Sequence, residues 1–188
     1  EDSMAKAKQL LHKAIDLNDA YADAHAFLGW LFAMTGQYDK ALIHGEKAVT
    51  LNPNSAESHM RYGKILTQDG KYKESISELQ TAINLNPIPP NVYVYSLGLS
   101  YCFDGQYDQA IKWCERAVRE DPNAMFARLF MALTYSLSGR DEEAQIEAAE
   151  VLRIYPNFSL EKFAKRCALK DKTQCERVAS ALRKAGLR

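Results

Sequence analysis

The chain lacks the patterns that usually announce chemistry. No GxxxxGKS/T, HExxH, GxSxG or GxGxxG run occurs, so a phosphate cradle, a zinc peptidase, a hydrolase elbow and a dinucleotide fold have no signature here. The four histidines, His12, His25, His44 and His59, never stand four residues apart, which removes the simplest helical metal pair. Charge of one sign is also missing: 24 basic residues balance 24 acidic ones over 188 residues. Bulk attraction to nucleic acid needs a basic stripe, and a neutral chain offers none. No apolar run approaches the ~20 residues that a membrane-spanning helix needs. No secretory leader is recognisable. Glu1 falls inside a helical pattern, so a fragment of a longer polypeptide is expected.

Cysteine is scarce and scattered. Cys102, Cys114, Cys167 and Cys175 show no CxxC spacing, which argues against a zinc knuckle or a thioredoxin-like motif. Free thiols in a cytoplasmic protein are the expectation. A Cys167–Cys175 bridge stays open, because spacing alone does not give its geometry. Acidic pairs such as Glu142-Glu143 stand at helix starts, where the helix dipole favours them, and read as solvated face rather than as an acid/base pair. No catalytic constellation, cofactor site or metal site is expected.

What the chain does contain is punctuation. A tag recurs as Leu51-Asn52-Pro53-Asn54, Leu85-Asn86-Pro87, Asp121-Pro122-Asn123 and Ile154-Tyr155-Pro156-Asn157, with its prolines stepping by 34, 35 and 34 residues. A fixed period of this size is the mark of a repeat architecture, in which each unit packs mainly on its neighbours in one continuous stack. Within each period the apolar positions follow the 3.6-residue helical rhythm twice. Leu28, Gly29 and Phe32 precede Gly36-Gln37-Tyr38, and Ala41, Gly45 and Ala48 follow. The same order returns in Tyr62, Gly63, Leu66, Gly70-Lys71-Tyr72, Ser75, Leu79 and Ala82. It returns again in Leu97, Gly98, Tyr101, Gly105-Gln106-Tyr107, Ala110, Cys114 and Ala117. A fourth copy reads Met131, Ala132, Tyr135, Gly139-Arg140, Ala144, Ala148 and Val151. Ala7, Leu11 and Ala14 match a second helix only. Glycine at the helix joint permits close approach, and Gly98→Leu should overpack it at a cost of about 1–3 kcal/mol or more.

These residues resemble the tetratricopeptide repeat: a first helix of small and aromatic residues, a Gly-x-Tyr turn, an alanine-punctuated second helix, then proline. The resemblance implies an all-α fold, a helix-pair solenoid wound as a right-handed superhelix. Its expected segments are 1–19 (second helix of a truncated leading repeat), 20–53, 54–87, 88–122 and 123–156 (four repeats), and 157–188 (a helical C-terminal cap). Departures are local: His25 and His59 stand where the family often has Trp, and Asp141 replaces the last turn tyrosine. Both histidines are expected to pack in the unit core with satisfied ring nitrogens. In the tail, 159–168 reads as a short helix. Asp171 and Gln174 resemble a capping box opening a helix to about Ala185, with Cys175, Val178, Ala179 and Leu182 inward.

Asn86 to Tyr93, Pro156 to Arg166 and Arg183 to Leu187 are further similar to the C-terminal repeat region of bacterial proteins that carry a class III adenylate/guanylate cyclase domain upstream. Similar arrays follow winged-helix regulator domains in some bacteria. This likeness implies an origin in a signalling protein and no activity, since no cyclase residues are present.

The family resemblance places partner binding on the first-helix face turned away from the unit core. Ten residues are expected there: Trp30, Met34, Met60, Arg61, Lys64, Tyr95, Leu99, Phe103, Phe126 and Leu133. Arg61 and Lys64 would meet acidic groups, and the aromatic residues would anchor a partner segment. A competing reading has the tail helices folding over Leu133 and Leu137, because exposed apolar patches need a cover. Repeats that clamp the acidic C-terminus of heat-shock chaperones use cationic and amide residues where this chain has Ala26, Trp30, Val92 and Ser96, so that partner is set aside. The function expected is non-catalytic protein–protein interaction. The partner would be a protein or peptide segment or the upstream domain of the same polypeptide. The alternatives are a self-assembling homo-oligomeric scaffold, or the regulatory part of a cyclase. Neither nucleic acid nor a membrane span is expected.

Overall fold

A computed structural model describes residues 2–188, and among these the chain is all helix and turn. It divides into two compact units, Glu1–Pro89 and Pro90–Arg188, at the proline-rich insertion. The first unit holds α1 (Asp2–Leu17), α2 (Ala22–Met34), α3 (Tyr38–Leu51), α4 (Ala56–Asp69) and α5 (Tyr72–Leu85). The second holds α6 (Asn91–Phe103), α7 (Tyr107–Glu120), α8 (Met125–Leu137), α9 (Asp141–Ile154), α10 (Leu160–Lys165) and α11 (Lys172–Lys184).

Two recurring turns build the pairs. At the glycine turn, Gly36, Gly70, Gly105 and Gly139 take φ of +74°, +91°, +79° and +79°, a region L side chains avoid. The following amide then reaches back to close the first helix: Gln37 to Phe32, Lys71 to Leu66, Gln106 to Tyr101 and Arg140 to Tyr135, each at 2.9 Å. At the proline tag the second helix stops, because proline has no N–H to continue it. The Asn or Asp before proline accepts the amide two residues on, as in Asn52 Oδ1 to Asn54 at 3.2 Å and Asp121 Oδ1 to Asn123 at 2.9 Å. The tag is therefore a stop and a turn in one.

Small residues set how near the helices come. A Cβ added at Gly98 would lie 2.5 Å from the Cys114 sulfur and 3.2 Å from the Ala110 carbonyl oxygen. Ala41, Ala48, Ala82, Ala110, Ala117 and Ala144 are wholly enclosed at the equivalent joints. Leu11 and Ile15 of α1 pack on the Leu28, Phe32 and Ile65 core.

A polar pin ties first helix to second at one repeated slot, nineteen residues apart. His25 Nδ1 lies 2.8 Å from His44 Nδ1, His59 Nδ1 is 2.5 Å from Glu78 Oε2, and Arg128 Nη1 is 2.9 Å from Glu147 Oε2. In the remaining pair Val94 and Trp113 fill the slot apolarly. The first-helix member of each polar pin, His25, His59 or Arg128, also binds a carbonyl six residues upstream, at Asp19, Pro53 and Pro122. His25 and His59 are thus buried structural pins with both ring nitrogens partnered.

The tail differs from expectation in two respects. Cys167 and Cys175 are joined by a disulfide with their Cα atoms 6.0 Å apart, which corrects the free-thiol reading for this pair. The physical reason is local: the turn after α10 folds back so that the first turn of α11 meets it, with Cys175 Sγ also near the Leu169 carbonyl. Cys102 and Cys114 remain free and buried, and burial raises both thiol pKa values, Cys102 to about 11. The short helix is only Leu160–Lys165, and the Asp171 carboxylate caps α11 through the Thr173 amide at 2.8 Å.

Candidate partner-binding face

In the first unit, α2 and α4 pack side by side and carry one face together. Phe27, Trp30 and Met34 recur at helical spacing on α2, and Glu57, Arg61, Lys64 and Gln68 do so on α4. The 34-residue period sets Phe27 and Arg61 in equivalent slots, and the Arg61 guanidinium carbon stands 3.7 Å from the Phe27 ring centroid. The Trp30 ring is 5.6 Å away from the same carbon. Such stacking holds a guanidinium in place. Arg61 Nη2 donates to Glu57 Oε1 at 2.5 Å. Lys64 is half-buried, and desolvation, followed by the neighbouring Arg61 charge, lowers its pKa.

In the second unit, α6 and α8 carry an aromatic triad. Tyr95 lies 5.9 Å from Phe126 and 5.8 Å from Phe130 between centroids, and the two phenylalanines are 6.2 Å apart. Leu99 and Phe103 are half-buried on the same helix as Tyr95.

Of the ten expected residues, Met34 and Phe126 are exposed, at 41% and 42%. Trp30, Arg61, Lys64, Tyr95, Leu99 and Phe103 are half-buried. Met60 and Leu133 are enclosed, at 5% and 1% exposure, which is a correction: neither side chain has surface to offer. Leu133 lies on α8, and α11 packs against that helix. Ser136 Oγ donates to the Ala181 carbonyl at 3.0 Å, and Leu182 and Leu187 are fully buried. The tail therefore packs on α8, while Leu137 on the same helix stays half-buried. Phe27 and Phe130 were missed. Their signal was present, since Phe27 precedes Trp30 by three residues and Phe130 follows Phe126 by four.

Among the described residues no cluster of three or more His, Cys, Asp or Glu side chains could hold a metal ion, and no helix is long and apolar enough to cross a membrane.

Comparison with known proteins fits this geometry. Solved structures that share the fold include MamA, at 26% identity over 86% of this chain and 91% of that one, with a TM-score of 0.67. PilW, a type IV pilus biogenesis factor, matches at 18% identity over 98% and 83%, with a TM-score of 0.77. YrrB, described as a repeat protein with an unusual peptide-binding site, matches at 23% identity over 93% and 90%, with a TM-score of 0.63. No curated protein sequence matches the chain. Two family models, both described as tetratricopeptide repeat, match residues 22–55 and 93–124 and residues 56–89, together 100 of the 188 residues. The α2–α3, α4–α5 and α6–α7 pairs coincide with those matches and α8–α9 repeats their turns, so the chain belongs to the tetratricopeptide-repeat family.

Proposed function

We propose that the chain is a non-catalytic interaction module that seats a partner segment, or a domain of its own polypeptide, on the first-helix face of its repeats. One observation carries this. In both units the first helices present clustered, partly exposed aromatic side chains, Phe27 and Trp30 each beside Arg61 in one and Tyr95, Phe126 and Phe130 against one another in the other. Clustered aromatic residues and arginine are the composition of binding hot spots. The peptide-binding site ascribed to YrrB supports the reading by analogy of fold. The repeat boundaries proposed are 20–53, 54–87, 88–122 and 123–156, with 1–19 before and the cap 157–188 after.

The finer reading is the C-terminal arm of a bacterial signalling protein, with a cyclase regulatory arm and a self-assembling scaffold as the alternatives. A cytoplasmic location rested on free thiols. The Cys167–Cys175 bridge weakens that support, since disulfides persist in oxidising compartments. The test pairs Trp30→Ala with Phe103→Ala. Capture of the partner should be abolished while helicity by circular dichroism is kept, and unchanged capture by a folded double variant sinks the groove assignment. Light scattering separates the scaffold alternative: a mass rising with concentration supports it, and a strict monomer counts against it.

A further inference from the structure

We infer that the C-terminal cap is a docking surface for an anionic lipid membrane, separate from the first-helix face of the repeats.

Charge is segregated along a chain that is neutral as a whole. The cap, residues 157–188, carries nine Lys and Arg against three Asp and Glu. Residues 1–156 carry 15 against 21. The cap is therefore net +6 and the repeats net −6, an asymmetry that points to an anionic surface as partner of the basic block. All nine basic residues of the cap are exposed. Lys165 pairs with Glu161 at 2.6 Å, and Lys184 with Asp141 at 2.8 Å. Among the described residues Lys162, Arg166, Arg183 and Arg188 form no ion pair.

The cap also holds these charges in place. Lys162 and Arg166 follow one another at helical spacing at α10, and the Cys167–Cys175 bridge ties the turn after α10 to α11. The Leu160 N–H donates to the Arg188 carbonyl at 2.8 Å, which fastens the chain beyond Gly186 beside α10. A cavity of about 410 Å³ opens there, lined by Glu161, Ala164, Lys165, Arg183 and Arg188 over Leu160. With Glu161 offset by Lys165, two guanidinium groups are left to meet a phosphate. Phe158 and Phe163, half-buried with ring centroids 6.0 Å apart, adjoin Lys162 and supply the amphipathic aromatic surface that suits a membrane interface. A nucleic acid is held by a basic stripe that follows its backbone. Here cations from two elements gather round one cavity of small-molecule size, which suits a lipid headgroup.

The experiment is co-sedimentation of the full chain with vesicles of equal parts phosphatidylcholine and phosphatidylglycerol, and with phosphatidylcholine alone, at about 0.1 M salt. Binding is expected to the first and not to the second. Lys162→Gln with Arg166→Gln, and separately Arg183→Gln with Arg188→Gln, should each weaken binding roughly twentyfold, since a cation at an anionic surface counts for about fivefold. Lys6→Gln with Lys13→Gln makes the same charge change on α1 and should leave binding unaltered. All six residues are exposed, circular dichroism checks each fold, and two separate cap variants keep the test sound if one does not fold. Absence of vesicle binding, equal binding to both vesicles, or a loss shared by the α1 variant overturns the inference. So does tighter binding to duplex DNA of random sequence at the same salt. Release from the vesicles by inorganic phosphate at unchanged ionic strength would mark a free-anion site and overturn it too.

Discussion

Acidification should loosen the first unit through one pair of imidazoles. His25 Nε2 reaches the Asp19 carbonyl at 3.1 Å, so that nitrogen carries the proton and Nδ1 is left as an acceptor. His44 Nδ1–H must then be the donor across the 2.8 Å contact. The His44 ring stacks on His25 at 5.1 Å and on Phe32 at 5.4 Å between centroids. A proton arriving at His25 would destroy the bond, and one arriving at His44 would put charge into this stack. Burial, then His25, His12 and Lys47, pushes His44 from 6.5 down to about 4. His25 is also lowered, by burial first, with Lys47 adding to the effect and Asp19 opposing it.

Both folded-state values lie below the unfolded one, so above pH 6.5 these groups contribute no pH dependence. As pH falls below that point the unfolded chain binds protons that the folded chain refuses, and stability declines until it levels near pH 4. The unscreened cost for His44 is ~3 kcal/mol, and partial solvent access reduces it to about 1–2 kcal/mol. The assay is urea unfolding followed by Trp30 fluorescence in a Trp113→Phe background, from about pH 7 to about pH 4.5. His44→Asn, which keeps an N–H donor but does not titrate, should show a flatter curve than the parent. Parallel curves for the two proteins would refute the reasoning.

The other expectations follow from single contacts. Arg128→Met leaves Glu147 unpaired at 13% side-chain exposure and should cost about 3 kcal/mol, most of it regained with Glu147→Leu, read by unfolding of the second unit through Trp113. Opening the Cys167–Cys175 bridge, whose partners are eight residues apart, should remove ~2.5 kcal/mol by loop-closure entropy and speed amide exchange in α10 and α11. Unchanged exchange in the reduced protein contradicts that. Gly98→Leu should destabilise the second unit by about 1–3 kcal/mol or more, because the Cys114 sulfur already occupies the space, and a midpoint equal to the parent's would contradict the packing argument.

Much of the fold was legible in advance because its signals are local. Gly36 and Pro53 act through their own backbone chemistry, and the alanine at each joint acts through its size, so spacing along the chain sufficed. The candidate face was legible only as a stripe. Trp30, Arg61 and Lys64 were placed there by the family resemblance, which names a helix face, but the same face admitted Met60 and Leu133, which are enclosed. Periodicity tells which side of a helix a residue is on and is silent on what lies across from it.

The amino-acid sequence by itself determined the helix pairs, their stops and their period, since each depends on residues within a turn or two of one another. Tertiary structure decided the rest. It set the nineteen-residue pins, the Phe27 stack that holds Arg61, the closure of Cys167 onto Cys175 and the covering of α8 by α11. These depend on distances through space between residues on different elements, and such distances exist only once the helices have packed.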